Sequence, residues 1–253
     1  MKTSIFVLVL LFNFNYTFAQ APVKQWDVDL GANDNEQLYS IQQTTDGGYI
    51  LGGYSESGIN GDKTQASRGS SDYWVIKTDS NGVKQWDARF GGPGVDQLTA
   101  LQQTSDGGYI LGGTSFSDIG GDKTQTSRGL NDYWIVKTDG NGVKQWDARF
   151  GGESLEELHA LQQTSDGGYI LGGYSISIIS GDQTNTRLGG KDFWIVKTDP
   201  NGVKQWDSRF GGAQFAELNS VRQTTDDGYV LGGYSLSGVS GNKTQPNKGL
   251  YDY

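Results

Sequence analysis

A chain of 253 residues with no Cys, a single His and a formal net charge of −9 has no material for disulfides or for a Cys/His zinc centre. Nor does it carry a basic stripe that would recruit nucleic acid or an anionic membrane. Glycine is abundant (39) and proline scarce (4), while 7 Trp, 13 Tyr and 10 Phe supply bulk, a balance that predicts an all-β protein rich in tight turns.

The first nineteen residues read as an export signal. Lys2 gives a short positive start, Ile5 to Phe14 is nearly all apolar, and Thr17-Phe18-Ala19 ends on a small residue, the pattern of a secretory peptide cleaved between Ala19 and Gln20. The apolar run is too short to cross a bilayer comfortably, so no membrane insertion is expected once it is removed.

From Lys24 onward the chain repeats itself. The tetrapeptide Lys-Gln-Trp-Asp stands at 24–27, 84–87, 144–147 and 204–207, sixty residues apart each time. All tryptophans fall at two phases of this period. Trp26, Trp86, Trp146 and Trp206 form one set; Trp74, Trp134 and Trp194 form the other. The repeats are 24–83, 84–143, 144–203 and 204–253, the last cut short. The next Trp of the second set would be residue 254, which predicts that the chain is a fragment or a truncated reading of a longer gene.

Each full repeat holds four strand-like runs. In the second copy they are 98–104 (LTALQQT), 108–114 (GYILGGT), 132–138 (DYWIVKT) and 142–150 (GVKQWDARF). Asp106-Gly107 and Asn141-Gly142 predict tight hairpins with primed turns. The other links are the Ser/Gly/Asp-rich loop 115–131 and the Gly-Gly loop that precedes the first run. No helical periodicity of useful length follows the signal. Four sequential antiparallel strands per repeat predict the blade of a β-propeller, with a right-handed β-solenoid as the competing fold. About three and a half blades are present, too few for a ring of four to eight. The expectation is an open or strained arc, with residues 24–30 (KQWDVDL) as a fourth strand of the closing blade and a bare edge on the second strand of the last repeat. Such an edge should favour aggregation or proteolysis.

The pattern DxWhVKxDxNGxxxWxxxFGG followed by LQQTxDGGYhLGGxS, with h an apolar residue, covers Lys24 to Tyr253. It resembles the β-propeller repeats of secreted bacterial proteins, often cargo of the type IX secretion system. The order YILGG, DYW, KQW is also similar to the kelch blade. The resemblance implies a secreted or surface-attached propeller, commonly followed by a C-terminal sorting domain; it implies no particular activity, because fold does not supply function.

Within the repeats, divergence is sorted. The turns after the first and third strands are nearly fixed (TSDGGY, TDGNGV), whereas the loops after the second and fourth vary freely. Strand alternation places all variable loops on one rim. That is either drift in unconstrained loops or a recognition surface on a rigid scaffold, with Phe116, Ile176, Ile178 and Phe215 as exposed apolar candidates. His159 stands where the other copies have Tyr39, Thr99 and Asn219, which reads as a tolerated variable position. No nucleophile elbow or phosphate loop occurs. Asp62, Asp122 and Asp182 recur in the second-to-third-strand loop and offer oxygens of the type calcium takes, or else simply cap turns.

The expected function is a non-enzymatic binding or adhesion scaffold, secreted or on the outer cell surface, with no cofactor and a protein or glycan as ligand. The alternatives are the N-terminal piece of a propeller enzyme acting on polysaccharide, and a purely structural spacer of a surface protein.

Overall fold

The computed structural model describes residues 23–253; the signal segment and the Ala19–Gln20 cleavage site lie outside the described residues. Among the described residues every regular element is a strand. The first sheet contains β1 (Glu36–Gln43), β2 (Tyr49–Ser55), β3 (Asp72–Thr78) and β4 (Lys84–Phe90). The second contains β5 (Asp96–Gln103), β6 (Tyr109–Ser115), β7 (Asp132–Thr138) and β8 (Lys144–Phe150). The third contains β9 (Glu156–Gln163), β10 (Tyr169–Ser175), β11 (Asp192–Thr198) and β12 (Lys204–Phe210), and the fourth only β13 (Ala216–Gln223) and β14 (Tyr229–Ser235). Within each sheet the strand pairings are antiparallel and sequential, while single parallel bridges, Ser71–Val95, Asn131–Leu155 and Lys191–Phe215, join neighbouring sheets. The sheets stand in chain order with their first strands together: β5 packs on β1, β9 on β5 and β13 on β9. The described residues do not close a ring.

The predicted hairpins form, but not with primed turns. Gly107 N–H bonds Thr104 carbonyl, Thr104 N–H bonds Gly108 carbonyl, and only Gly107, at φ 82°, is left-handed. Aspartate side chains select this geometry: Asp106 Oδ1 accepts from Thr104 Oγ1 and Gly108 N–H, and Asp139 Oδ1 accepts from Asn141 and Val143 N–H. A single glycine in the left-handed region then suffices. In the last copy Asp227 holds that position at φ 63°.

Residues 24–30, expected as a strand, enter no ladder, because no neighbouring strand among the described residues offers them hydrogen-bonding groups. They nevertheless lie where the fourth strand of a preceding sheet would. Trp26 meets Tyr49 edge-on at 5.7 Å, as Trp86 meets Tyr109 at 5.8 Å and Trp146 meets Tyr169 at 5.9 Å.

Packing between sheets follows from strand alternation. In β7, Trp134 and Val136 face the first sheet, against Ile50, Tyr73, Val75 and Phe90; Tyr133 and Ile135 face the third, against Leu171, Trp194 and Val196. The third strand is thus buried on both faces. Tyr73 Oη donates to Trp134 carbonyl at 3.0 Å, and Tyr133 Oη to Trp194 carbonyl at 3.0 Å, so each aromatic pair also joins neighbouring sheets by a hydrogen bond. The Gly-Gly pair makes this closeness possible. A Cβ on Gly112 would lie 2.5 Å from Leu161 of the next sheet, and one on Gly113 would lie 2.0 Å from Gln97 carbonyl.

One edge of each four-stranded sheet is tied by a buried lysine on the third strand. Lys137 Nζ reaches Asp106 Oδ2 at 2.8 Å and also bonds Thr138 carbonyl and Gln145. Burial opposes charge on Asp106, but Lys137, Thr104 and Gly108 outweigh it and hold the carboxyl down at about 2. Because this folded value lies below the ordinary 3.8, the pair's stabilisation is fully present above about pH 4 and is lost as pH falls through about 2. Solvent screening at the half-exposed carboxylate keeps the amount modest. Thermal melts between pH 5 and pH 2 should show Asp106→Asn less stable than the parent at the upper end and indistinguishable from it at the lower. A constant gap would mean that the ion pair contributes nothing.

Candidate functional site

The rim formed by the second-to-third-strand and fourth-to-first-strand loops carries the divergent residues, and the loops on it are latched from sheet to sheet. Asp122 Oδ2 accepts from Gly91 N–H of the preceding sheet, lies 2.7 Å from Arg68 and 3.0 Å from Arg89, and its own N–H bonds Gly91 carbonyl. Asp182 repeats this with Gly151, Arg128 and Arg149, and Asp62 accepts from Gly31 N–H. These are the aspartates considered as calcium ligands. Two of them are neutralised by guanidinium pairs, and each of the three uses carboxylate oxygen on a backbone N–H. Among the described residues no cluster of three or more His, Cys, Asp or Glu has metal-binding geometry.

Where the first strands meet at this rim lies a cleft of about 470 Å³. Its floor comes from a β-bulge in every first strand. The pairing register slips between Leu38 and Ser40, Leu98 and Ala100, and Leu218 and Ser220; in the third sheet β9 pairs Leu158 and Ala160 but skips His159. The skipped residues are Tyr39, Thr99, His159 and Asn219. A bulge frees its extra residue from the ladder and re-aims the side chain, here towards the next sheet. Thr99 Oγ1 donates to Leu158 carbonyl at 2.6 Å, and His159 Nδ1 meets Leu218 carbonyl at 2.9 Å. Tyr39 stacks on Tyr54 at 6.0 Å. Phe116 closes one side with its ring 47% exposed, while Gln97, Glu157 and Asn219 supply amide and carboxylate groups.

Charge collects at the third and fourth sheets. Glu157 lies 3.8 Å from His159 Nε2, and Lys191 bonds Glu217 at 2.6 Å while standing 4.2 Å above the Tyr174 ring. Burial opposes a proton on His159, but Glu157 and Leu218 carbonyl outweigh it and raise its pKa above the ordinary value. Burial and Glu157 push the Tyr174 hydroxyl up. Nδ1 is thus bonded to the Leu218 carbonyl, while Nε2 is turned towards Glu157 at 3.8 Å. Among the described residues the hydrogen-bond partners of this ring are the Leu218 carbonyl and the Asn219 side chain, which join the third sheet to the fourth.

Of the apolar candidates, Phe116 lines the cleft. Ile178 is exposed on its own loop, Ile176 is half-buried, and Phe215 lies half-exposed against Gly190; none of these three reaches the cleft. The tryptophans divide by phase. Trp74, Trp134 and Trp194 are buried; Trp86 and Trp146 are half-buried; Trp26 and Trp206 are more exposed. Sequence reasoning passed over the bulge row. Its only mark in the sequence is that Tyr, Thr, His and Asn vary between nearly fixed neighbours, which does not separate a bulge from an ordinary variable position.

No family model matches the chain. A stretch of 120 residues is 37% identical to the regulatory protein FlaEY of Caulobacter vibrioides, covering 45% of this chain and 13% of that protein. The chain is thus similar to a small part of a much longer relative.

Proposed function

We propose that the sheets are blades of a β-propeller and that the chain serves as an exported, non-enzymatic binding scaffold, secreted or on the outer cell surface, whose ligand is a protein or a glycan. The observation that carries this reading is the sorting of difference. The turns with Asp106 and Asp139 repeat almost unchanged, while the opposite rim holds the divergent bulge residues and a cleft with exposed aromatic and amide groups. Divergence confined to one rim of a rigid frame is how a repeat scaffold acquires a specific surface.

Overlay of the purified chain on immobilised glycans and on cell-surface proteins tests this. Specific retention is expected, weakened about tenfold or more when Phe116→Ala and His159→Ala are combined, and unchanged by Asn141→Ala on the opposite rim. Retention by neither class of ligand would leave a structural spacer, and equal loss with both variants would remove the rim from the account.

A further inference from the structure

We infer that the first strands of the second, third and fourth sheets build an oxyanion site, suited to a sulfate or carboxylate group, on the rim opposite the cleft. The site does not rest on the reading of the divergent rim.

Where β5, β9 and β13 run into their following turns lies a cavity of about 410 Å³. Every residue lining it is Gln, Ser, Thr or Gly, so no apolar or acidic side chain contributes to its walls. Such walls suit a ligand held by hydrogen bonds.

The glutamine amides decide which kind. Gln102 Oε1 accepts from Gln163 N–H at 2.7 Å, and Gln162 Oε1 accepts from Gln223 N–H at 2.8 Å. In return Gln163 Oε1 accepts from Ser105 N–H at 2.9 Å, and Gln223 Oε1 from Ser165 N–H at 2.8 Å. A reversed amide would set N–H against N–H at each contact, so all four orientations are fixed. The oxygens are thereby spent on neighbouring sheets. Gln163 Nε2 donates to the Gly167 carbonyl and Gln223 Nε2 to Asp227. Gln102 and Gln162, both half-buried, keep their Nε2 groups without a hydrogen-bond partner among the described residues. The Ser105 and Thr225 hydroxyls are free there as well. A polyol would bring hydroxyl protons to oxygens that are already engaged, whereas an oxyanion brings acceptors alone to a wall of donors.

The carboxylates of the adjoining turns are occupied. Asp106 and Asp166 each pair with a lysine at 2.8 Å. Asp227 takes Ser165 Oγ besides Gln223, and Asp226 accepts from Thr224 and Gly228. The position of Gln42, Gln102 and Gln162 is held in the fourth copy by Arg222, next to Gln223. Its guanidinium bonds the Val221 carbonyl. The one departure from glutamine in this row therefore adds a cation.

The test titrates the intact chain with sodium sulfate and, separately, with sodium acetate, against sodium chloride at matched ionic strength. Side-chain and backbone amide signals are followed by NMR. Saturable shifts are expected at Gln102 and Gln162 with at least one oxyanion and not with chloride. A response to sulfate alone would assign a sulfate group, and a response to acetate alone a carboxylate. Gln102→Glu and Gln162→Glu each keep an oxygen for the backbone N–H but exchange the free donor for a negative charge. Their melting temperatures should stay near the parent's while oxyanion affinity falls about tenfold or more. Ser105→Ala, an exposed change that removes one hydroxyl, should weaken binding measurably with folding untouched. No saturable shift with either oxyanion, equal shifts with chloride, or parental affinity in both glutamate variants would each overturn the proposal.

Discussion

Replacing Trp134 with alanine is expected to cost about 3–5 kcal/mol of folding stability, in the range of core aromatic truncations. The ring is fully buried between the first and second sheets, 4.9 Å from Tyr73, and its Nε1 donates to Asp147 at 3.0 Å. Truncation leaves a large void against Tyr73 and Val75, a buried acceptor without its donor, and no neighbour able to collapse into the gap. Trp26→Ala is the internal control. Its ring is 39% exposed, and its removal should cost less than about 1 kcal/mol. Urea titration of both variants measures the difference; a Trp134→Ala loss no larger than that of Trp26→Ala would mean that the sheets do not pack face to face.

The second large effect is expected at Asp147, whose carboxylate joins four groups. Oδ2 accepts from Trp134 Nε1 and Thr124 N–H, and Oδ1 accepts from Thr124 Oγ1 and Lys144 Nζ. The side chain is 1% exposed. Burial by itself would raise its pKa, but Lys144, Thr124 and Trp134 outweigh burial and lower it, so the residue is an anion in the folded chain at neutral pH. Asp147→Ala leaves the Lys144 ammonium with only the Asp122 carbonyl, strands the indole N–H and releases the loop at Thr124. Breaking such a pair costs about 3–5 kcal/mol. Because Trp134 and Asp147 share a bond, their losses should not add. Trp134→Phe, which keeps a ring and removes the donor, should cost about 1 kcal/mol less in the Asp147→Ala background than in the parent. Additive losses would show that the indole–carboxylate bond is not formed.

Much of this was legible because the repeat samples each position several times. The segment 132–138 (DYWIVKT) is legible to the residue, since two aromatic residues followed by two β-branched ones, bounded by Asn131 and Asp139, leave little freedom in register. The hairpins were located but their turns misassigned. Asp-Gly and Asn-Gly suggest a two-residue primed turn, but the carboxylates of Asp106 and Asp139, bound to backbone N–H groups within the turn, decide for a longer one with a single left-handed glycine. Residues 24–30 carry the pattern of a fourth strand, but a strand needs a neighbour, and pattern alone cannot supply it. The candidate cleft was the least legible part. Phe116 was recognisable from its exposure on a variable loop. His159 was set aside because it occurs in one copy only, when the property shared by the four positions is a backbone bulge and not a side-chain type. A bulge has no residue signature in a strand that otherwise reads Leu-x-x-Leu-Gln-Gln, so it could not be inferred from pattern.

The central claim is that the sheets are packed on one another into a rigid frame that presents the divergent rim. Native-state hydrogen exchange, resolved by residue, tests it most directly. The account predicts that the amides of β6, β7, β10 and β11, buried between neighbouring sheets, exchange together and slowest, through global opening, while β1 and β14 at the two ends exchange orders of magnitude faster. Sheets that each opened independently, with β7 exchanging no more slowly than β1, would contradict it.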